Sequence, residues 1–271
     1  MNNFPIRLDQ YLVEKGLFKS RTQAQRAIKK GVVADTSNKI FNKSSFAVER
    51  ETLFHLTEPV SDFASRGALK LEKAVEYFHF DLNKQIVIDI GASTGGFTDL
   101  SLRKGAKFVY AVDVGHDQLI GRLRQDDRVK NMEGYNFRYA KAADFLNPLP
   151  TRTVIDVSFI SLKMILPSLY PILSEESEVV ALFKPQFEVG KLNVGKKGIV
   201  KKTTSVFAAF EKLKLLIDDL GFILAGFTDS PIKGGDGNHE FLLYLKKGTH
   251  KFDSGLLPDS IKDFIFNSYQ K

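Results

Sequence analysis

Three charged residues stand at or near the carboxyl ends of short apolar runs. Asp113 follows Phe108–Val112, Asp156 lies within Thr153–Phe159, and Lys184 follows Val179–Phe183. An acid at the tip of a strand accepts hydrogen bonds from ribose hydroxyls in nucleotide-type sites. A carboxylate inside an apolar run must be paired or hydrogen-bonded. A lysine acts as a general base where burial lowers its pKa, while a nearby carboxylate orients it and favours its charged form. Residue type alone therefore leaves the protonation state of such a lysine open.

These residues need a scaffold, and residues 86–99 point to one. Ile86–Ile90 is apolar and β-branched except for Asp89, which suits a buried parallel strand. Gly91, Gly95 and Gly96 allow a tight turn and a close approach to a ligand. Phe97–Lys104 has helical spacing, so the turn opens a helix whose N-terminus would face that ligand. The loop reads G-x-x-x-G-G, not the G-x-G-x-x-G of dinucleotide folds. Strands at 108–112, 153–159, 179–183, 222–227 and 241–245 alternate with helices at 118–124, 167–173 and 207–220. A tail helix is expected within 259–269. The alternation predicts a doubly wound α/β domain, whose ligands bind beyond the strand ends. Asp113, Asp156 and Lys184 can then converge on one crevice.

Residues 6–58 predict a separate small α+β domain. A first helix stops at Gly16. Ser20 caps a second, Arg21–Lys30, and Gly31 ends it. Short strands are expected at 32–33, 46–48 and 53–56. Arg21, Arg26, Lys29 and Lys30 crowd the second helix, and either bind a polyanion or form a solvated face. Pro59 marks a linker over 59–64. Residues 184–202 hold six lysines against one acid, with Gly190, Gly195 and Gly198 interleaved, and predict a mobile basic loop.

The chain of 271 residues carries a net charge of +7 and a pI near 9.3, which suits a polyanionic partner, most simply nucleic acid. It contains no cysteine, which removes disulfides, thiolate metal sites and cysteine nucleophiles. Its five histidines lack metal-ligand spacing, so no metal is expected. No apolar run approaches the ~20 residues of a membrane helix. Met1–Gln10 lacks the apolar core of a signal peptide. The expectation is a cytoplasmic monomer that spans no membrane.

Two resemblances sharpen this. Arg7-Leu8-Asp9, Leu12, Gly16, Ser20-Arg21, Ala24, Ala27-Ile28 and Gly31-Val32 resemble the RNA-binding domain of ribosomal small-subunit protein four. From residue 64 to 247 the chain looks like the TlyA family, rRNA 2′-O-methyltransferases with an FtsJ-like catalytic fold, some labelled haemolysins. The matching residues are Ser65-Arg66-Gly67 with Lys70-Leu71, Asp89 with Gly91 to Thr98, and Asp113-Val114-Gly115. They continue with Asp156 to Leu162, Lys184 to Gly190, and Gly237-Asn238 with Glu240.

The resemblance implies a Rossmann-like S-adenosylmethionine-dependent domain over 65–271, an RNA-binding domain over 1–58, and methylation of a cytidine-type ribose in ribosomal RNA. It places catalysis on Lys70, Asp156, Lys184 and Glu240, with Lys184 as general base, Asp156 positioning it, and Lys70 and Glu240 holding the ribose. Cofactor contacts fall on Asp89, Gly91, Ala92, Ser93, Thr94, Gly95, Gly96, Phe97, Asp113, Val114, Asn136 and Asp156. RNA contacts fall on Arg7, Arg21, Arg26, Lys29, Lys30, Arg66, Lys191, Lys196 and Lys197. One departure is visible: the family's linker often carries Arg and Trp where this chain has Ser61 and Phe63.

The alternatives are an amino-group methyltransferase, whose motif at 184–187 would need an acceptor where Lys184 stands, and an RNA-binding protein without catalysis. The haemolysin label suggests a lytic protein, for which no spanning segment is found.

Overall fold

A computed structural model describes residues 4–18, 20–49, 51–57, 63–248 and 254–270. The chain divides into two compact units, Met1–Asp62 and Phe63–Lys271. Most of the expected linker, residues 59–62 with Ser61, lies outside the described residues.

In the first unit, β1 (Ile6–Arg7) leads into α1 (Leu8–Glu14), and α2 (Arg21–Lys30) follows. The expected signals set the second helix. Ser20 Oγ accepts Gln23 N–H, and Gly31 closes it at φ 75°. Leu8, Tyr11, Leu12, Ala24, Ala27 and Ile28 are buried together between α1 and α2. Then come β2 (Val33–Asp35), β3 (Ile40–Phe41), β4 (Ala47–Val48) and β5 (Phe54–Leu56). They pair antiparallel as β3-β2-β5 and β1-β4. The two-residue strands β1 and β3 are not among the expected elements, because two residues carry no periodicity.

The second unit begins with α3 (Ala68–Tyr77), β6 (Ile86–Ile90), α4 (Gly96–Arg103) and β7 (Phe108–Asp113). It continues through α5 (Gly121–Arg124), β8 (Val129–Glu133), β9 (Arg152–Ile155), α6 (Leu166–Leu169), β10 (Glu178–Phe183) and α7 (Pro185–Glu188). Last come α8 (Thr203–Asp219), β11 (Phe222–Asp229), β12 (Phe241–Lys247) and α9 (Ile261–Ser268). Seven strands form one sheet in the order β11-β12-β10-β9-β6-β7-β8. Only β12 runs antiparallel, to both β10 and β11. The period-two alternation sends Ile88 and Ile90 to one apolar layer and Val87 to the other. On α8, Val206, Ala209, Phe210, Leu213 and Ile217 recur on one face and are buried, each large side chain contributing roughly 1.5–3 kcal/mol.

Three expectations need correction. The helix over 118–124 shrinks to α5, because Glu133 Oε1 accepts both Gln118 and Leu119 N–H and holds them in a loop. The strand over 153–159 stops at Ile155, so Asp156 lies past its end, not within it. The basic stretch 184–202 is not all loop: it opens with α7 and a 3₁₀ turn at Lys191–Asn193. The strand β8, absent from the expectations, is a sheet edge whose exposed Lys130 and Asn131 dilute its apolar pattern.

Candidate active site at the carboxyl ends of the strands

Strand order reverses between β6 and β9, which are parallel neighbours in the sheet but lead to helices on opposite sides. Their carboxyl ends open a crevice there. Gly91 follows β6 at φ 88°, and a Cβ there would lie 2.6 Å from the Asp156 carbonyl oxygen. Only glycine lets the two strand ends come this close. A cavity of about 290 Å³ opens beside them, lined by Gly91, Ser93, Asp113, Val114, Asn136 and Asp156 with apolar walls that include Phe137 and Ile160. Asp113 is fixed by the backbone: Oδ2 accepts Ser93 N–H at 2.7 Å and Oδ1 accepts Gly115 N–H at 2.8 Å. Each oxygen keeps a second lone pair for an incoming hydroxyl. These residues suit a nucleoside bearing a cationic centre. The apolar walls would take the base, Asp113 the ribose diol, and the Asp156 carboxylate the positive charge.

The other residues of the glycine turn do not line this cavity. Asp89 is fully buried and points at the first turn of α4, where its Oδ2 accepts the Thr98 hydroxyl at 2.6 Å. Burial pushes its carboxyl up to about 7, with the Thr98 hydrogen bonds opposing. Phe97 and Ala92 sit in the core, and Thr94 is half-buried outside the cavity wall. At Gly95 a Cβ would lie 2.3 Å from Leu123 Cδ1, and at Gly96 one would lie 2.2 Å from Ser65 Oγ. At those two positions a side chain would meet protein first.

The four residues expected to catalyse, far apart in sequence, form one alternating chain of charge. Lys184 Nζ lies 2.6 Å from Asp156 Oδ1, Lys70 Nζ lies 3.4 Å from Asp156 Oδ2, and Lys70 Nζ lies 2.7 Å from Glu240 Oε2. Both lysines and Glu240 are buried, while Asp156 keeps 19% of its side chain exposed toward the cavity. Two cations alternate with two anions, so each charge has a partner and none is buried alone. Each member comes from a different element. Lys70 lies in the first turn of α3, Asp156 after β9, Lys184 after β10, and Glu240 before β12. Two contacts were not singled out in advance: Lys184 donates to Ser158 Oγ at 3.2 Å, and Gln186 donates to Glu240 Oε1 at 3.5 Å. Gln118 and Tyr135 also line the cavity. Their positions in loops left no periodic signal. Among the described residues no cluster of acids and histidines could hold a metal.

In the first unit, Arg7 and Arg21 both donate to the buried Asp9, and both stay about half exposed. Lys29 and Lys30 lie exposed at the end of α2. Arg26 lies on the same helix, but its side chain is outside the described part of the structure. In the second unit Arg66, Lys191, Lys196 and Lys197 are exposed. The Arg103 guanidinium lies over the Phe63 ring, 4.9 Å from its centroid.

The family model for FtsJ-like methyltransferases matches residues 63–247, and that for the S4 domain matches residues 6–34. A Bacillus subtilis (strain 168) protein named "Putative rRNA methyltransferase YqxC" is 48% identical over 239 residues, covering 88% of this chain and 85% of that protein. A Mycobacterium tuberculosis (strain ATCC 25618 / H37Rv) protein named "16S/23S rRNA (cytidine-2'-O)-methyltransferase TlyA" is 36% identical over 263 residues, covering 96% and 95%. The solved structure "Putative hemolysin from Streptococcus thermophilus" superposes with a TM-score of 0.76 at 44% identity, covering 99% of this chain and 97% of that one. No helix among the described residues is long and apolar enough to cross a membrane. The chain belongs to the TlyA family of FtsJ-like, S-adenosylmethionine-dependent methyltransferases.

Proposed function

We propose that this protein methylates the 2′-oxygen of a ribose, at a cytidine, in ribosomal RNA. The observation that carries the reading is the buried chain Lys184–Asp156–Lys70–Glu240, whose Asp156 also faces the cofactor cavity. S-adenosylmethionine, when bound, supplies a methyl group on a sulfonium centre. Asp113, Val114, Asn136 and Gly91 would hold it.

A ribose hydroxyl is a poor acid, so the reaction needs a base beside it and a fixed line of approach. The Lys184 amine takes the hydroxyl proton. Asp156 keeps that amine in place and balances the ammonium once it forms. Lys70 and Glu240, locked to each other at 2.7 Å, hold the ribose. Domains over 1–58 and 65–271 divide the work, the first docking structured RNA through Arg7, Arg21, Arg26, Lys29 and Lys30. Arg66, Lys191, Lys196 and Lys197 contact phosphates nearer the site. Such contacts read shape and charge rather than sequence. The protein works as a monomer in the cytoplasm.

The test uses tritiated S-adenosylmethionine with ribosomal subunits and naked ribosomal RNA that lack the modification. The expected result is label from the wild type and none from Lys184→Ala, at a linkage that resists alkaline cleavage. Label at an alkali-sensitive linkage would make the product a base methylation and end the ribose reading.

A further inference from the structure

We infer that Ser158 is a positioning residue of the reaction: its hydroxyl is the second acceptor that, together with Asp156, aims the Lys184 lone pair at the ribose oxygen. The inference rests on the reading of Lys184 as general base.

A neutral lysine amine has one bond to Cε, two N–H donors and one lone pair, arranged as a tetrahedron. With a single acceptor, the lone pair can take either of two remaining directions. With two acceptors, both donors are occupied and the lone pair has one direction left. Lys184 Nζ faces two oxygens: it donates to Ser158 Oγ at 3.2 Å, and Asp156 Oδ1, its ion-pair partner, lies at 2.6 Å and accepts no other hydrogen bond. Its side chain is 8% exposed, whereas Ser158 is exposed and reaches the amine from the cavity side.

The loop around Ser158 is built to keep that distance. The next residue, Phe159, sits at φ 65°, a left-handed conformation that a bulky residue rarely adopts. Just beyond it, Ser161 Oγ donates to Glu188 Oε2 at 2.6 Å and Leu162 N–H donates to Glu188 Oε1 at 2.8 Å. Glu188 ends α7, the helix for which Lys184 is the N-cap residue. One carboxylate therefore ties the loop that carries Ser158 to the element that carries Lys184. Ser158 also lines the cavity, so the test must separate aiming the base from binding the cofactor.

The full-length protein is assayed as Ser158→Ala and Ser158→Thr beside Lys184→Ala, with methyl transfer to ribosomal subunits and calorimetric binding of S-adenosylmethionine. Loss of one such hydrogen bond should lower kcat about tenfold in Ser158→Ala. KM for RNA and cofactor Kd should stay within about twofold of wild type, and threonine should restore most of kcat because it keeps the hydroxyl. Three results would overturn the inference: Ser158→Ala turning over like wild type while Lys184→Ala is inactive, a cofactor Kd that weakens in step with kcat, or a threonine variant as slow as alanine. A Lys184→Ala protein as fast as wild type would remove the general base itself, and this inference with it.

Discussion

The two units each organise basic side chains around an aspartate, and they do so in opposite senses. In the first unit the acid is hidden and the cations are exposed. Asp9 is fully buried, and Arg7, Arg21 and Gln25 converge on it. Burial raises the Asp9 carboxyl, but the hydrogen bonds from Arg7, Gln25 and Arg21 outweigh it and hold the group far below the usual carboxylate range. In the second unit the cations are hidden and the acid is open. Lys70 and Lys184 are buried, and Asp156 faces the cavity. Arginine keeps its proton throughout the working pH range, whereas a desolvated lysine can give one up. An acid ringed by arginines is thus a bracket that displays fixed charge; an acid shared by buried lysines can serve proton transfer. Asp99 shows that the distinction follows the chemistry and not the domain. It lies in the catalytic unit, accepts from Arg122, Arg103 and Ala64 N–H, and has no place at the cavity.

The comparison breaks most visibly at Asp156 and Lys184. Asp156→Asn keeps the shape but removes the charge that two buried lysines share. Methyl transfer should fall by roughly 10²–10⁴-fold, the range for losing a positioned acid–base group, in single-turnover assays. Lys184→Arg sharpens the point, since a guanidinium preserves the pairing with Asp156 but has no free lone pair. It should be about as inactive as Lys184→Ala. If the arginine variant kept a tenth or more of the wild-type rate, Lys184 would be acting as a cation and the contrast between the two brackets would collapse.

At Asp9 the expected loss is in stability. Asp9→Asn leaves two arginines without their shared anion, but both are half exposed and can rehydrate. The cost is therefore about 1–3 kcal/mol, read as faster amide exchange in α1 and α2. The sign of the pH effect follows from the lowered carboxyl. Unfolded Asp9 titrates near pH 3.9, so its contribution is fully present above that pH and drains away as the pH falls toward the folded value. Exchange in α1 and α2 should accelerate on acidification in wild type and respond less in Asp9→Asn. An equal response in both proteins would mean that Asp9 is not the titrating bracket.

Sequence reading reached the elements with strong local signals. The ends of α2 were legible because Ser20 and Gly31 are strong start and stop residues, and β6 because four β-branched apolar residues run together, interrupted only by Asp89. The tetrad's four members were placed by family likeness; spacing alone suggested only that Asp156 and Lys184 share a crevice. That Lys70 and Glu240 pair, 170 residues apart, is a product of sheet order and could not be read locally. The glycine turn was only partly legible. Gly95 and Gly96 look like ligand-approach positions, yet the atoms that exclude their side chains belong to Leu123 and Ser65. Asp89, which the family likeness assigned to the cofactor, turns its carboxylate to the Thr98 hydroxyl.

The smallest expected effect concerns the exposed lysines of the second unit. Lys196 and Lys197 are exposed and have Gly195 and Gly198 on either side. If they meet phosphate, they differ from Arg7 and Arg21 in having no bracket: neither takes part in an ion pair among the described residues, whereas both arginines are anchored to Asp9. A free lysine must give up side-chain entropy when it docks, so each contact is worth less than one made by a pre-set arginine. Lys196→Ala and Lys197→Ala should each raise KM for ribosomal RNA only a few-fold and leave kcat alone. Each should also make the slope of log affinity against log salt shallower by about 1. Arg21→Ala should change the slope by a similar amount but weaken binding more. Equal losses of affinity would show that the bracket adds nothing to binding, and an unchanged slope for the lysine variants would place the RNA backbone elsewhere.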